Sequence, residues 1–195
     1  PQSKVVIVCA ELCTLHFQAV PNADNIASSL LFGDGAAAVL VVSDDIPMQG
    51  LYLKSFYSEI VPKGKADMSW VIASTGFLMT LSGYVPDLIQ ADFESLVSRA
   101  LEKAKLRKED INYWCIHPGG KRILDAIAKS LDFKGDELEP SFSVLKEFGN
   151  MSSPTVLFVL QRIMQQLKSG DQREILGAAF GPGLTMETFT ASAHA

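Results

Sequence analysis

Ile111-Asn112-Tyr113-Trp114-Cys115-Ile116-His117-Pro118-Gly119-Gly120 reads as a strand that ends on a histidine and turns through two glycines into a helix. Residues 121–131 then place Ile123, Leu124, Ile127 and Leu131 on one side of that helix. Downstream, a short helix is expected over 143–148, stopped by Gly149. Ser152 and Ser153 are candidate N-caps for a helix over 155–167, with Pro154 at its first position. Strands over 174–180 and 184–191 follow, joined as a hairpin through Gly181-Pro182-Gly183. Upstream, the apolar period of 85–106 predicts an amphipathic helix. Strands are expected over 36–42, 51–57 and 77–81. The β-branched run over 4–10 predicts a strand buried on both faces. The stretch 58–73 has no clear period and is expected to form an irregular lid or arm over a cavity. Strands alternating with helices make the fold class α/β, and the terminal hairpin makes the sheet mixed.

The bulk properties narrow the function classes. A chain of 195 residues with 48% hydrophobic content buries a sizeable core and is not disordered. Its net charge of −5 comes without a block of like charges, which argues against a nucleic-acid partner. No apolar run reaches the roughly 20 residues of a membrane span. The polar opening Pro1-Gln2-Ser3-Lys4 carries no signal-peptide pattern. Cys9, Cys13 and Cys115 are an odd number without a CxxC pair. That favours free thiols in a reducing, cytoplasmic setting over disulfides or a metal site.

Two short stretches look chemical. His117 stands at a strand end before Gly119-Gly120, and Asn150 stands between Gly149 and a helix start. A histidine and an asparagine held at the mouths of helices can donate jointly to a developing oxyanion. Lys121 and Arg122 add charge at a helix N-terminus, where an anion such as phosphate is favoured. Each residue also has a plain structural role. His117 could be satisfied by a backbone carbonyl, Asn150 could be a left-handed junction residue, Ser152 only a cap, and Lys121 and Arg122 a solvated helix face.

Taken together, four stretches resemble one family in order: Phe32-Gly33-Asp34-Gly35-Ala36-Ala37-Ala38, His117-Pro118-Gly119-Gly120, Gly149-Asn150-Met151-Ser152-Ser153 and Phe180-Gly181-Pro182-Gly183-Leu184-Thr185-Met186-Glu187-Thr188. The family is the chalcone/stilbene synthases, the type III polyketide synthases. The resemblance implies a thiolase-like fold, a homodimer of two duplicated α/β halves, and a Cys-His-Asn triad. His117 and Asn150 match its histidine and asparagine. The implied reaction is decarboxylative condensation of malonyl-CoA onto a CoA-linked starter, with CoA thioesters as substrates and no separate cofactor. Gly119 and Gly120 match the segment beside CoA, and Ser152 a serine close to the nucleophile. Phe180, Gly181, Pro182 and Gly183 match a loop shaping the cavity. Glu11, Cys13 and His16 match cavity positions that set product specificity. Cys13 and His16 stand where plant members commonly carry threonines, which points to the bacterial branch. Leu51 and Met79 fall near two gatekeeping positions.

None of the three cysteines matches the nucleophile. The chain is therefore expected to be a C-terminal portion. Residues 1–57 would be the last elements of one half and 58–195 the C-terminal half, inactive alone and covering its exposed core by self-association. The alternatives are a ketoacyl synthase III-like condensing enzyme, or a non-catalytic fragment that binds CoA or dimerises.

Overall fold

In the computed structural model, residues 2–46, 50–65, 67–74, 76–81 and 83–194 are described. Four strands form the main sheet: β3 (Gly50–Ile60), β6 (Ile111–Ile116), β7 (Gln172–Gly181) and β8 (Thr185–His194). Their order is β3-β8-β7-β6; β6 and β7 run parallel and the other pairs antiparallel. The sheet is mixed, as the terminal hairpin requires. β3 runs through position 57, where the sequence suggests the end of one half, and pairs along its length with β8.

The pleat divides the core. Trp114, Ile116 and Leu176 point to the face covered by α2 (Val85–Ala104) and α3 (Lys121–Ser130), where Ile89, Phe93, Leu96, Leu124 and Ile127 are buried. Their neighbours Cys115 and Ile175 point to the opposite face. There they meet Val144 of α4 (Glu139–Phe148) and Val159 and Ile163 of α5 (Thr155–Gln166). Helices on both faces explain why the second half of β6, Trp114 to Ile116, is apolar and buried at successive positions.

Gly177 sits opposite Phe189 in the β7–β8 ladder. A methyl group there would meet the Phe189 ring at 2.0 Å. Gly177→Ala is therefore expected to cost about 1–3 kcal/mol through overpacking, read as a lower denaturation midpoint. The double variant with Phe189→Leu should recover part of that loss, which a double-mutant cycle would measure.

The first strand departs from expectation. β1 (Lys4–Glu11) forms and pairs antiparallel with β2 (Gly35–Val42). It is not buried on both faces: Val5, Val6, Ile7 and Val8 are 48–67% exposed. The composition asks for cover on both faces, but cover is a property of neighbours, and β2 is the strand partner of β1. The stretch 58–73 is also more regular than expected. β3 continues to Ile60, a single 3-10 turn spans Pro62–Gly64, and β4 (Met68–Ala73) pairs with β5 (Gly76–Leu81) as a hairpin. The hairpin packs against α1 (Ala23–Leu31), whose Ser28 hydroxyl donates to the Met79 sulfur at 3.8 Å. No helix among the described residues is long and apolar enough to cross a membrane.

Candidate active site

The carboxyl ends of β6 and β7 open into a cavity of about 770 Å³. Such strand ends are where open α/β sheets commonly bind ligands. Parallel pairing carries β6 one residue past its end: the His117 N–H donates to the Ala178 carbonyl at 2.8 Å. The Ser141 hydroxyl of α4 caps the preceding carbonyl, Ile116 O, at 2.6 Å. His117 is thereby fixed in the cavity wall at 8% exposure. Its ring nitrogens have no hydrogen-bond partner among the described residues. Burial pushes its pKa down to about 4, so the imidazole is neutral at physiological pH.

Asn150 reaches the same wall from the end of α4. Gly149 stops that helix in a left-handed conformation, φ 72° and ψ −162°. The Asn150 amide is held at both ends. Its Nδ2 donates to the Gly119 carbonyl at 3.3 Å, and its Oδ1 accepts from the Ser152 N–H at 2.9 Å. Nδ2 keeps a second proton with no acceptor among the described residues. Gly119 lies between the two side chains, since a methyl group on it would stand 3.9 Å from His117 Nε2. One neutral imidazole and one amide, both buried, thus line one cavity with donor capacity to spare.

The helix start after Asn150 is built differently from expectation. Neither Ser152 nor Ser153 caps α5; the residue before the helix is Pro154, without a side-chain cap. The Thr155 hydroxyl accepts from the Met151 N–H and donates to the Ser152 carbonyl, each at 2.8 Å. Ser152 adopts φ 61°, a left-handed conformation for a non-glycine residue. Its Asn150-bonded N–H and Thr155-bonded carbonyl hold it there.

Of the other residues singled out, Glu11, Cys13, His16, Gly119, Ser152, Phe180, Gly181 and Pro182 line the cavity. Gly120 and Gly183 adjoin wall residues without lining it. Leu51 is not in the wall: it pairs with Ala193 and packs into the core beneath α5. Met79 is in the wall. Sequence reasoning missed Phe32, Met68, Ile123 and Val156 as wall residues. Phe32 lies inside a quoted motif, but its place in the wall comes from its bridge to Asn150, a long-range contact. Lys121 pairs with Asp125 at 2.7 Å, and the Arg122 guanidinium donates to the Gly83 carbonyl at 3.3 Å.

The three thiols are free. Burial, reinforced by the carboxylates of Glu11 and Asp34, pushes the Cys13 thiol up. Burial does the same to Cys115, which donates to the Val156 carbonyl. Cys9 lies within β1.

Residues 52–193 match the family model for the C-terminal domain of chalcone and stilbene synthases. The chain belongs to the chalcone and stilbene synthase family. A putative chalcone synthase of Bacillus subtilis (strain 168) is 32% identical over 194 residues, covering 96% of this chain and 53% of that protein. The crystal structure of PKS-I from the brown alga Ectocarpus siliculosus superposes with a TM-score of 0.91 at 28% identity, over 99% of this chain and 53% of that one. The 1,3,6,8-tetrahydroxynaphthalene synthase of Streptomyces coelicolor A3(2), a bacterial type III polyketide synthase, gives 0.91 at 27% identity, over 99% and 55%. The chalcone synthase-like chain thus has the thiolase-like fold and spans about half the length of the relatives it matches.

A buried neutral histidine also makes a stability prediction for this family member. The unfolded chain binds a proton near pH 6.5, while folded His117 resists one until about pH 4. Between those values the unfolded state holds more protons, so stability falls as pH falls. The expected loss at the acid end is about 3 kcal/mol. Comparing denaturant midpoints at pH 7 and pH 4.5 should show a drop that His117→Gln reduces.

Proposed function

We propose that this chain supplies the electrophilic half of a type III polyketide synthase site. The observation that supports it is the convergence of two buried donors, His117 and Asn150, about the Gly119 backbone in one cavity wall. Malonyl-CoA binds with its thioester carbonyl between the imidazole N–H and the free Asn150 amide proton. Loss of carbon dioxide leaves the electron pair of the broken C–C bond on the α-carbon, delocalised as an enolate. The two donors stabilise the enolate oxygen in a water-poor site. The α-carbon then attacks the carbonyl of an acyl thioester; a C–C bond forms, the C–S bond breaks, and the thiolate leaves. No general base is required, because decarboxylation itself generates the carbanion. A neutral imidazole suits the donor role, since it does so without gaining a proton.

The thiolate that carries the acyl group is assigned to a segment outside this chain, because burial pushes the Cys13 and Cys115 thiols up and Cys9, within β1, does not line the cavity. The substrates are malonyl-CoA and an acyl-CoA starter, with no further cofactor, and the active assembly is a homodimer. Three free thiols support a reducing compartment such as the cytoplasm. The test is carbon dioxide release from malonyl-CoA by the chain alone and with an added N-terminal half carrying the nucleophile. Turnover only after complementation supports the split site. No turnover in a folded complex would reduce the chain to a CoA-binding fragment.

A further inference from the structure

The short helix Cys13–His16 and the Asn150 loop form two parts of the cavity wall, and the turn Phe32-Gly33-Asp34-Gly35 is bonded to both. On one side it forms a parallel bridge with the Asn150 loop. The Gly33 N–H donates to the Asn150 carbonyl at 3.0 Å, and the Asn150 N–H donates to the Leu31 carbonyl at 2.9 Å. On the other side, the Asp34 carboxylate accepts twice from Thr14. The Thr14 N–H donates to Oδ1 at 2.8 Å and its hydroxyl to Oδ2 at 2.7 Å. A carboxylate that takes both groups of one residue fixes that residue's backbone and rotamer together.

We propose that Asp34 is a positioning residue: by clamping Thr14 to the turn that is bonded to the Asn150 loop, it fixes the Cys13–His16 wall relative to the donors. The clamp thereby sets the width of the cavity for the acyl chain. This rests on the reading of the cavity as a thioester site. Asp34 does not itself line the cavity, whereas Thr14, Cys13 and His16 do, so it acts through Thr14. A second tie holds the start of the same wall, where the Ser153 hydroxyl donates to Glu11 Oε1 at 2.7 Å. Cys13 lies between the two ties. The Thr14 bonds, backbone first, also hold the Asp34 carboxyl below the usual carboxylate range, which keeps the acceptor charged.

The test uses the full chain with Thr14→Val, Thr14→Ser and Asp34→Ala. Thr14→Val keeps the backbone bond and lies at an exposed position, so the fold is retained. The first readout is peptide-resolved alkylation by iodoacetamide, with Cys9 of β1 as internal reference. Thr14→Val and Asp34→Ala are expected to raise the Cys13-to-Cys9 labelling ratio about fivefold, and Thr14→Ser to restore it. General loosening would raise both thiols together and overturn the clamp. The second readout is the ratio of Kd values for decanoyl-CoA and CoA, expected to change about fivefold in Thr14→Val with the CoA value unchanged. A labelling ratio that does not respond overturns the clamp, whatever binds. Labelling that responds beside an unchanged Kd ratio overturns its control of cavity width. Labelling that responds in a chain that binds neither CoA nor decanoyl-CoA leaves the clamp standing and overturns the thioester reading.

Discussion

Replacing His117 by alanine is expected to slow malonyl-CoA decarboxylation by about 100- to 1,000-fold in the complemented assembly, the usual loss when one oxyanion donor is removed. The ring has no hydrogen-bond partner among the described residues, so its removal orphans no buried group. The main structural consequence is a void beside Gly119, and the fold is retained. CoA affinity should change little, because the imidazole faces the cavity and the nucleotide end of CoA lies away from the thioester. Asn150→Ala should give a similar loss, and the double variant much less than the product of the two, since both donors serve one oxygen. Carbon dioxide release and CoA binding, measured side by side, check this. An unchanged rate in the single variants would remove the oxyanion role from these residues.

Gly149→Ala carries the second large expected effect, and it acts on structure first. Gly149 has φ 72° and ψ −162°, a region essentially confined to glycine, where another residue costs about 1–3 kcal/mol. Its new methyl would stand 2.9 Å from the Leu31 carbonyl oxygen, a backbone atom with little room to retreat. That oxygen accepts the Asn150 N–H at 2.9 Å, so relief of the clash breaks the bridge that seats Asn150. Adding about 1 kcal/mol for the lost bond gives an expected destabilisation of about 2–4 kcal/mol. Thermal denaturation should fall by roughly 5–15 °C. Decarboxylation should drop beyond what unfolding explains, because misplacing a donor by about 1 Å can cost 100-fold. A midpoint equal to that of the parent chain would refute the strain argument.

The elements that were legible from residues alone are those whose signals lie within a turn or two of chain. α2 shows its buried stripe through Ile89, Phe93, Leu96 and Val97 at helical spacing, with Pro86 in the first turn. β6 shows a buried run ended by His-Pro-Gly-Gly, and the β7–β8 hairpin is announced by Gly181-Pro182-Gly183. What went unread depends on partners far along the chain. The cover of β1 is set by its neighbours and not by its β-branched composition. Whether Leu51 or Phe32 meets the cavity depends on cross-strand register: pairing with Ala193 takes Leu51 into the core, and the bridge to Asn150 brings Phe32 to the wall. Neither serine caps α5: Ser152 is held at φ 61° by its bonds to Asn150 and Thr155, and the Ser153 hydroxyl donates to Glu11, a residue 142 positions away.

From the sequence by itself came the α/β class, a histidine ending a buried strand before a helix, and an asparagine held between a glycine and another helix. These follow from apolar periodicity and from the local chemistry of glycine and proline, which act over a few residues. Only the tertiary structure decided that His117 and Asn150 share one wall, that their amide and imidazole are buried, and that residues 31–35 and 149–151 lock together to place them. Those outcomes come from contacts such as Asn150 to Gly119, 31 residues apart, and Thr14 to Asp34, 20 apart. Closing such loops is settled by packing of the whole chain, and no local propensity encodes it.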